Sequence, residues 1–184
     1  VSTAAIFIRL AQADGVPSLV LAAVRMSVAA LTLTPAVLMR HREALRHIAL
    51  SDLKWALVSG VVLGIHFATW ITSLEYTAVV NSVTLVTTAP LWVALASPLV
   101  LKEAIRRRTA LGIAVALVGG VIVSLSGDAG APPTRHDPLL GNGLALVGAW
   151  AAAIYFMLGR RLRARLHVMV YIWLVYSTAA IVLV

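Results

Sequence analysis

Two basic residues of this chain, Arg9 and Arg25, stand inside apolar runs, and Arg25 sits well within "SLVLAAVRMSVAALTLTPAVLM". A guanidinium is a permanent cation whose planar fork of donors fits a carboxylate or phosphate. In such a run it is either a peg that bonds a neighbouring helix or the cation of a binding site. Other polar residues recur at helical spacing. His66, Trp70 and Ser73 follow one another by four and three, which puts them on one helix face. A histidine there can donate, accept or titrate near neutral pH; the plainer reading is a hydrogen-bonded packing residue beside a packing tryptophan. Asn81, Thr84 and Thr88 repeat the spacing, with Thr87 beside them and Pro90 following. Proline removes a backbone donor and frees a carbonyl one turn earlier, near Val86. That either offers carbonyls to a ligand or simply kinks a helix whose threonines bond their own backbone. Tyr155 is the last residue that could face a shared cavity.

Other chemistries find less support. There is no cysteine and no dense cluster of histidines or carboxylates, so neither a metal nor a cofactor is expected. Ser59 precedes His66 by seven residues, about 10 Å of helical rise at ~1.5 Å per residue, too far for a nucleophile–base pair. An intramembrane enzyme is therefore not expected. The acidic residues fall in loops or at segment ends, so no carboxylate proton relay is visible.

The elements that must position these residues are set by composition. Of the 184 residues 61% are hydrophobic and 12% charged, and the mean hydropathy is +0.96. Soluble domains run nearer ~45–50% apolar and ~25% charged. The chain therefore reads as an integral membrane protein with the lipid bilayer as its solvent. Seven apolar segments cover about 1–11, 16–39, 53–74, 79–101, 110–125, 140–158 and 168–184. Backbone groups in lipid must be satisfied within the segment, so all seven are helices and the fold class is an all-α, polytopic membrane helix bundle. The first residue is not methionine and both ends fall in apolar runs, so a piece of a longer protein is expected.

The net charge of +8 would suit nucleic acid if the basic residues covered a solvated face. Instead twelve of the fifteen stand in three groups of four: Arg40, Arg42, Arg46 and Lys54; Lys102 and Arg106 to Arg108; Arg160, Arg161, Arg163 and Arg165. The alternate loops hold only Arg135. No nucleic-acid partner is expected. The asymmetry follows the positive-inside rule and predicts that the basic loops and the N-terminal side are cytoplasmic. Arg25 then lies within about 5 Å of the bilayer midplane, where a charge costs ~3 to ~17 kcal/mol unless it faces the bundle interior. Arg9 is a turn from the polar "QADG" loop and is expected to reach the outer interface with its flexible stem.

Small residues at every fourth position, Gly112, Ala116, Gly120 and Ser124, allow close helix approach, within the subunit or in a homodimer. Gly141, Ala145, Gly148, Ala152 and Gly159 read as packing in the same way. Glu103 can pair with Arg106 or Arg107 at helical spacing and is expected to anchor a helix end.

Five segments precede the Gly/Pro-rich connection "SGDAGAPPTRHDP", so a second copy of the unit would enter upside down. "AAIFIRL" and "AAIYFML" match at four of seven positions where segments one and six should correspond, and inverted repeats are a common plan in secondary transporters. "FIRLAQADGVPSLVLAAVRM" resembles the first hairpin of the EamA-like family of the drug/metabolite transporter superfamily. "SLEYTAVVNSVTLVTTAPLWVALASPLVLKEAIRRRTALGIAVALVGGVIV" resembles its next stretch, and "GNGLALVGAWAAAIYFMLGRRL" the opening helix of its second half. The resemblance implies ten helices in two inverted five-helix repeats. Residues 1–126 would then be the first repeat, 127–139 an extracytoplasmic linker and 140–184 the start of a truncated second repeat. It also implies export or exchange of small metabolites, in a bacterial inner membrane. The expected function is therefore a secondary transporter of small polar metabolites such as amino acids or organic anions, working by alternating access. A non-transporting scaffold or regulatory subunit is the alternative.

Overall fold

The chain is helical wherever the apolar pattern calls for it. The computed structural model describes residues 2–100, 107–125, 134–135 and 137–184, and no strand occurs among them. The helices are α1 (Ser2–Ala13), α2 (Ser18–Arg40), α3 (Arg42–Arg46), α4 (Leu50–Tyr76), α5 (Val79–Val86), α6 (Ala89–Val100), α7 (Arg107–Leu125), α8 (Pro138–Leu162) and α9 (Val168–Leu183). Among the described residues four spans are long and apolar enough to cross a membrane: α2, α4, the α5–α6 pair over Val79–Pro98, and α8. Two features depart from the sequence expectation. The basic loop after α2 contains the short α3, and the fourth apolar segment is two helices that part at Thr87 and Thr88.

The connections explain the hairpins. Gly15 adopts φ +86°, the left-handed conformation that ends a helix. There the Gly15 N–H donates to the Gln12 carbonyl at 3.0 Å and the Val16 N–H to the Ala11 carbonyl at 3.0 Å. At the other long connection, the Arg135 N–H donates to the Glu75 carbonyl at 2.8 Å and the Asp137 N–H to the Tyr76 carbonyl at 3.3 Å. This ties the start of α8 to the end of α4. Asp137 then caps α8 by accepting from the Leu140 N–H at 3.1 Å, with Pro138 in the first turn, where its missing donor costs nothing.

α4 is the centre of the bundle, packed against α8 and α9, while α2 packs on α9 and α4. Lipid tails are as apolar as leucine, so close approach and interhelical hydrogen bonds must hold these helices together. Small residues supply the approach. A Cβ on Gly141 would fall 2.7 Å from Thr77 Cβ, one on Gly60 2.5 Å from Thr178 Cβ, and one on Gly159 2.8 Å from the Tyr171 hydroxyl. The bonds are Ser59 Oγ with Tyr171 Oη at 2.8 Å, Thr77 Oγ1 to Asn142 Oδ1 at 2.9 Å, and Trp173 Nε1 to Thr34 Oγ1 at 2.9 Å. Each contributes about 0.6 kcal/mol in a membrane setting.

The two expected small-residue stripes differ. On α8, Gly141, Gly148 and Gly159 are close contacts, as their spacing implies. On α7, a Cβ on Gly112 or Gly120 would meet no atom within 4 Å among the described residues, so neither glycine is a close contact there. Glu103, expected to anchor a helix end, lies outside the described residues.

Candidate functional site: a cavity beside Arg25

Between α2, α4, the α5–α6 break and α8 lies a cavity of about 410 Å³, within the ~300–1,000 Å³ range of small-molecule sites. Arg25, His66, Trp70 and Pro90 of the sequence candidates all line it. The other wall residues are apolar apart from Thr87, chiefly Phe67, Val86 and Phe156. Arg25, Thr87, Pro90 and Phe156 are exposed among the described residues, so the cavity is open on that side.

Each polar group is held by its helix. The Arg25 guanidinium carbon lies 5.1 Å from the centroid of the Phe67 ring, a cation–π contact that steadies the head without using its donors. Among the described residues no carboxylate pairs with it. Glu43 is with Arg46 at 3.5 Å, Asp52 with Arg165 at 3.5 Å and Glu75 with Arg135 at 3.9 Å. His66 Nδ1 lies 2.8 Å from the Gly148 carbonyl, which can only accept. Nδ1 therefore carries the proton, and in the neutral ring Nε2 keeps its lone pair. The ring stacks on Trp70 at 6.0 Å with 16° between planes.

The break in the fourth segment forms the opposite wall. Pro90 has no N–H to give the Val86 carbonyl, and both residues line the cavity. The Thr88 N–H turns back to the Leu85 carbonyl at 3.1 Å, a tighter i→i−3 closure, before α6 resumes. A Cβ on Gly148 would fall 3.2 Å from Thr69 Oγ1 and 3.4 Å from Trp70 Cβ, so glycine sets how closely α8 lies behind His66 and Trp70.

The structure separates the remaining candidates from the cavity wall. Asn81 is buried at 3% exposure. Thr88 donates to the Leu85 carbonyl at 2.6 Å and accepts from Trp92 Nε1 at 3.0 Å, the self-bonding alternative. Thr84 is half-buried, and its carbonyl accepts from Thr87 Oγ1 at 3.0 Å. Tyr155 packs against the cluster around Tyr171, Leu174 and Val175. Ala152 and Phe156 reach the cavity instead, because they lie a full turn apart on the α8 face that Tyr155 is rotated away from. Ser59 bonds Tyr171 and His66 bonds Gly148, so the two are not partnered with each other.

Arg9 corrects the sequence reading. It does not reach the interface: it is only 5% exposed, and neither Nη1 nor Nη2 has a hydrogen-bond partner among the described residues. Ala5, one turn before it, the adjacent Ile8 and Gln12, three residues on, are buried too, so this face of α1 packs on α4 and α5. Close by is a polar network that no single motif announces. Gln12 Nε2 donates to Ser18 Oγ at 2.7 Å and to the Ile71 carbonyl at 2.9 Å. Ser18 Oγ donates to Glu75. Arg135 covers the outside: its Nη1 donates to Tyr76 Oη at 3.0 Å, and its guanidinium lies 5.7 Å from that ring's centroid. The Tyr76 hydroxyl, and after it the Glu75 carboxylate, hold the Arg135 guanidinium above its usual pKa, so it is charged at any working pH.

Known proteins place the chain. No curated protein and no solved structure matches it. The sequence model of the EamA-like transporter family matches residues 1–125 of the 184. The match takes in α1 to α7 and every cavity residue except those of α8; the resemblance read in α8 lies beyond it. With several helices apolar and long enough to span a bilayer, the chain is a multi-pass membrane protein of the EamA-like transporter family.

Proposed function

We propose that the cavity beside Arg25 is the path of a small polar metabolite bearing a carboxylate or phosphate, carried by alternating access. The observation that carries the reading is Arg25 itself: a cation at mid-depth, braced on Phe67 and paired with no carboxylate among the described residues. A planar fork with its donors unspent is suited to bidentate capture of an anionic group. His66 Nε2 offers a second polar contact, and Trp70, Phe67 and Phe156 give the apolar wall that excludes water. The break at Thr87 and Thr88 supports alternating access, since interrupted helices at mid-membrane both bind and flex.

The same reading places the basic loops in the cytoplasm of a bacterial cell, with residues 1–126 and the segment from 140 onward as halves of an inverted repeat. Export as the direction rests on the family alone. The test is uptake into vesicles bearing the full-length protein, with a panel of amino acids, dicarboxylates and phosphorylated metabolites. Saturable transport of at least one anion, competed by others of its class, is expected. Transport of neutral or cationic solutes alone would overturn the anion reading. A protein that moves no panel member and gains no thermal stability from any would fit a scaffold instead.

A further inference from the structure

At the far end of the bundle from Glu75, a second cavity of about 150 Å³ opens between the first turns of α4 and the last turn of α8. Its floor is apolar, formed by Leu158 and the buried Leu162, and Trp55, half exposed, forms a side wall. Its rim carries Arg161, Arg165, Ser51 and Asp52. The four-residue spacing brings both guanidinia to one side, because the chain turns back after α8 with the Arg165 N–H on the Leu162 carbonyl at 2.9 Å. Their neighbour Arg163 is committed elsewhere, its Nε on the Gly159 carbonyl at 3.1 Å. Arg165 Nη1 is 3.5 Å from Asp52 Oδ1, so the one carboxylate in the pocket neutralises one of its two cations. Arg161 is exposed and has no acceptor among the described residues.

We propose that this pocket binds the phosphate of an anionic membrane lipid, with Arg161 as the principal contact and Ser51 as a neutral donor. The site stands where α4 and α8 leave their apolar stretches, the depth at which a headgroup lies, and interfacial tryptophan belongs to the same level. The floor chooses the source. A free phosphate gains nothing from Leu158, Leu162 and Trp55, whereas a lipid lays the first carbons of its acyl chains over them while its phosphate meets the rim. Asp52 opposes any anion and holds Arg165 back, so the pocket carries a single net positive charge, matched to one phosphodiester. The inference does not depend on what passes through the central cavity.

The experiment titrates phosphatidylglycerol into phosphatidylcholine-containing micelles of the full-length protein and reads the dissociation constant by native mass spectrometry. Phosphatidylglycerol is expected to bind at least tenfold tighter than phosphatidylcholine. Arg161→Gln should weaken it about fivefold, the effect of one interfacial cation, while Arg42→Gln, on the same end but outside the pocket, leaves it within twofold. Asp52→Asn frees Arg165 and should tighten binding about fivefold, a gain that a misfolded variant could not mimic. Equal losses in Arg161→Gln and Arg42→Gln would reduce the effect to diffuse surface charge and overturn the site. So would equal affinity for the two lipids, no gain in Asp52→Asn, or displacement of the lipid by inorganic phosphate at micromolar concentration.

Discussion

Arg9 and Arg25 belong to one helical hairpin and are set in opposite surroundings. Arg25 is exposed to a cavity, braced on Phe67, with its donors facing open space. Arg9 is packed away at 5% exposure with both terminal nitrogens unpartnered among the described residues. Burial makes the second a cost, which the charge of the nearby Glu75 offsets only in part. The first lines a cavity and keeps its donors free there. For Arg9 the sequence expectation is reversed: the cation nearer a loop is the buried one.

The largest effect is expected at Arg25. Arg25→Met should leave the protein folded and cut transport at least a hundredfold, as the cation is removed from the cavity without disturbing a hydrogen bond. Arg9→Met should do the reverse, raising stability to denaturant by about 1–4 kcal/mol, as replacing a poorly compensated buried charge by an apolar residue does, with transport within threefold. A fall in stability for Arg9→Met would show that its guanidinium is paired in the bilayer.

Smaller effects separate the hydrogen-bonded network at Glu75 from the cavity. Gly148→Val pushes α8 off Thr69 and Trp70 and should cost about 1–3 kcal/mol of stability; Gly120→Val, which meets nothing, should cost under about 0.5 kcal/mol. Both are read as detergent-solubilised thermal or denaturant stability. Ser18→Ala removes the hydroxyl that joins Gln12 to Glu75 and should cost about 1–3 kcal/mol without changing substrate affinity. A change in affinity from Ser18→Ala would join the two regions into one site.

Much of this was legible in the chain. Helix positions followed from apolar run lengths, and the cavity residues Arg25, His66, Trp70 and Pro90 followed from polar residues that apolar segments tolerate only for a reason. The break at Thr87 was foreshadowed by Pro90, but a proline does not say whether a helix bends or stops. Asn81, Thr84 and Thr88 share a face by their spacing, but the interruption ends that face: Asn81 and Thr84 stay together on α5 while Val86, Thr87 and Pro90 meet the cavity. Tyr155 stands in the small-residue stripe of α8 and could face the cavity by sequence, while its neighbours Ala152 and Phe156 hold the register that meets it. The Gln12–Ser18–Glu75 network joins three helices, and no spacing along one of them could reveal it. Arg9 misled because nearness to a loop in sequence is not nearness to water once α1 packs its inner face on α4.

The central claim is that Arg25 reads the anionic part of the solute. Counterflow in proteoliposomes of the full-length protein, using a transported acid and its uncharged amide, tests it directly. Wild type should favour the acid at least tenfold, Arg25→Lys should keep a reduced preference, and Arg25→Gln should abolish it. Undiminished selectivity for the acid in Arg25→Gln would show that another group reads the anion.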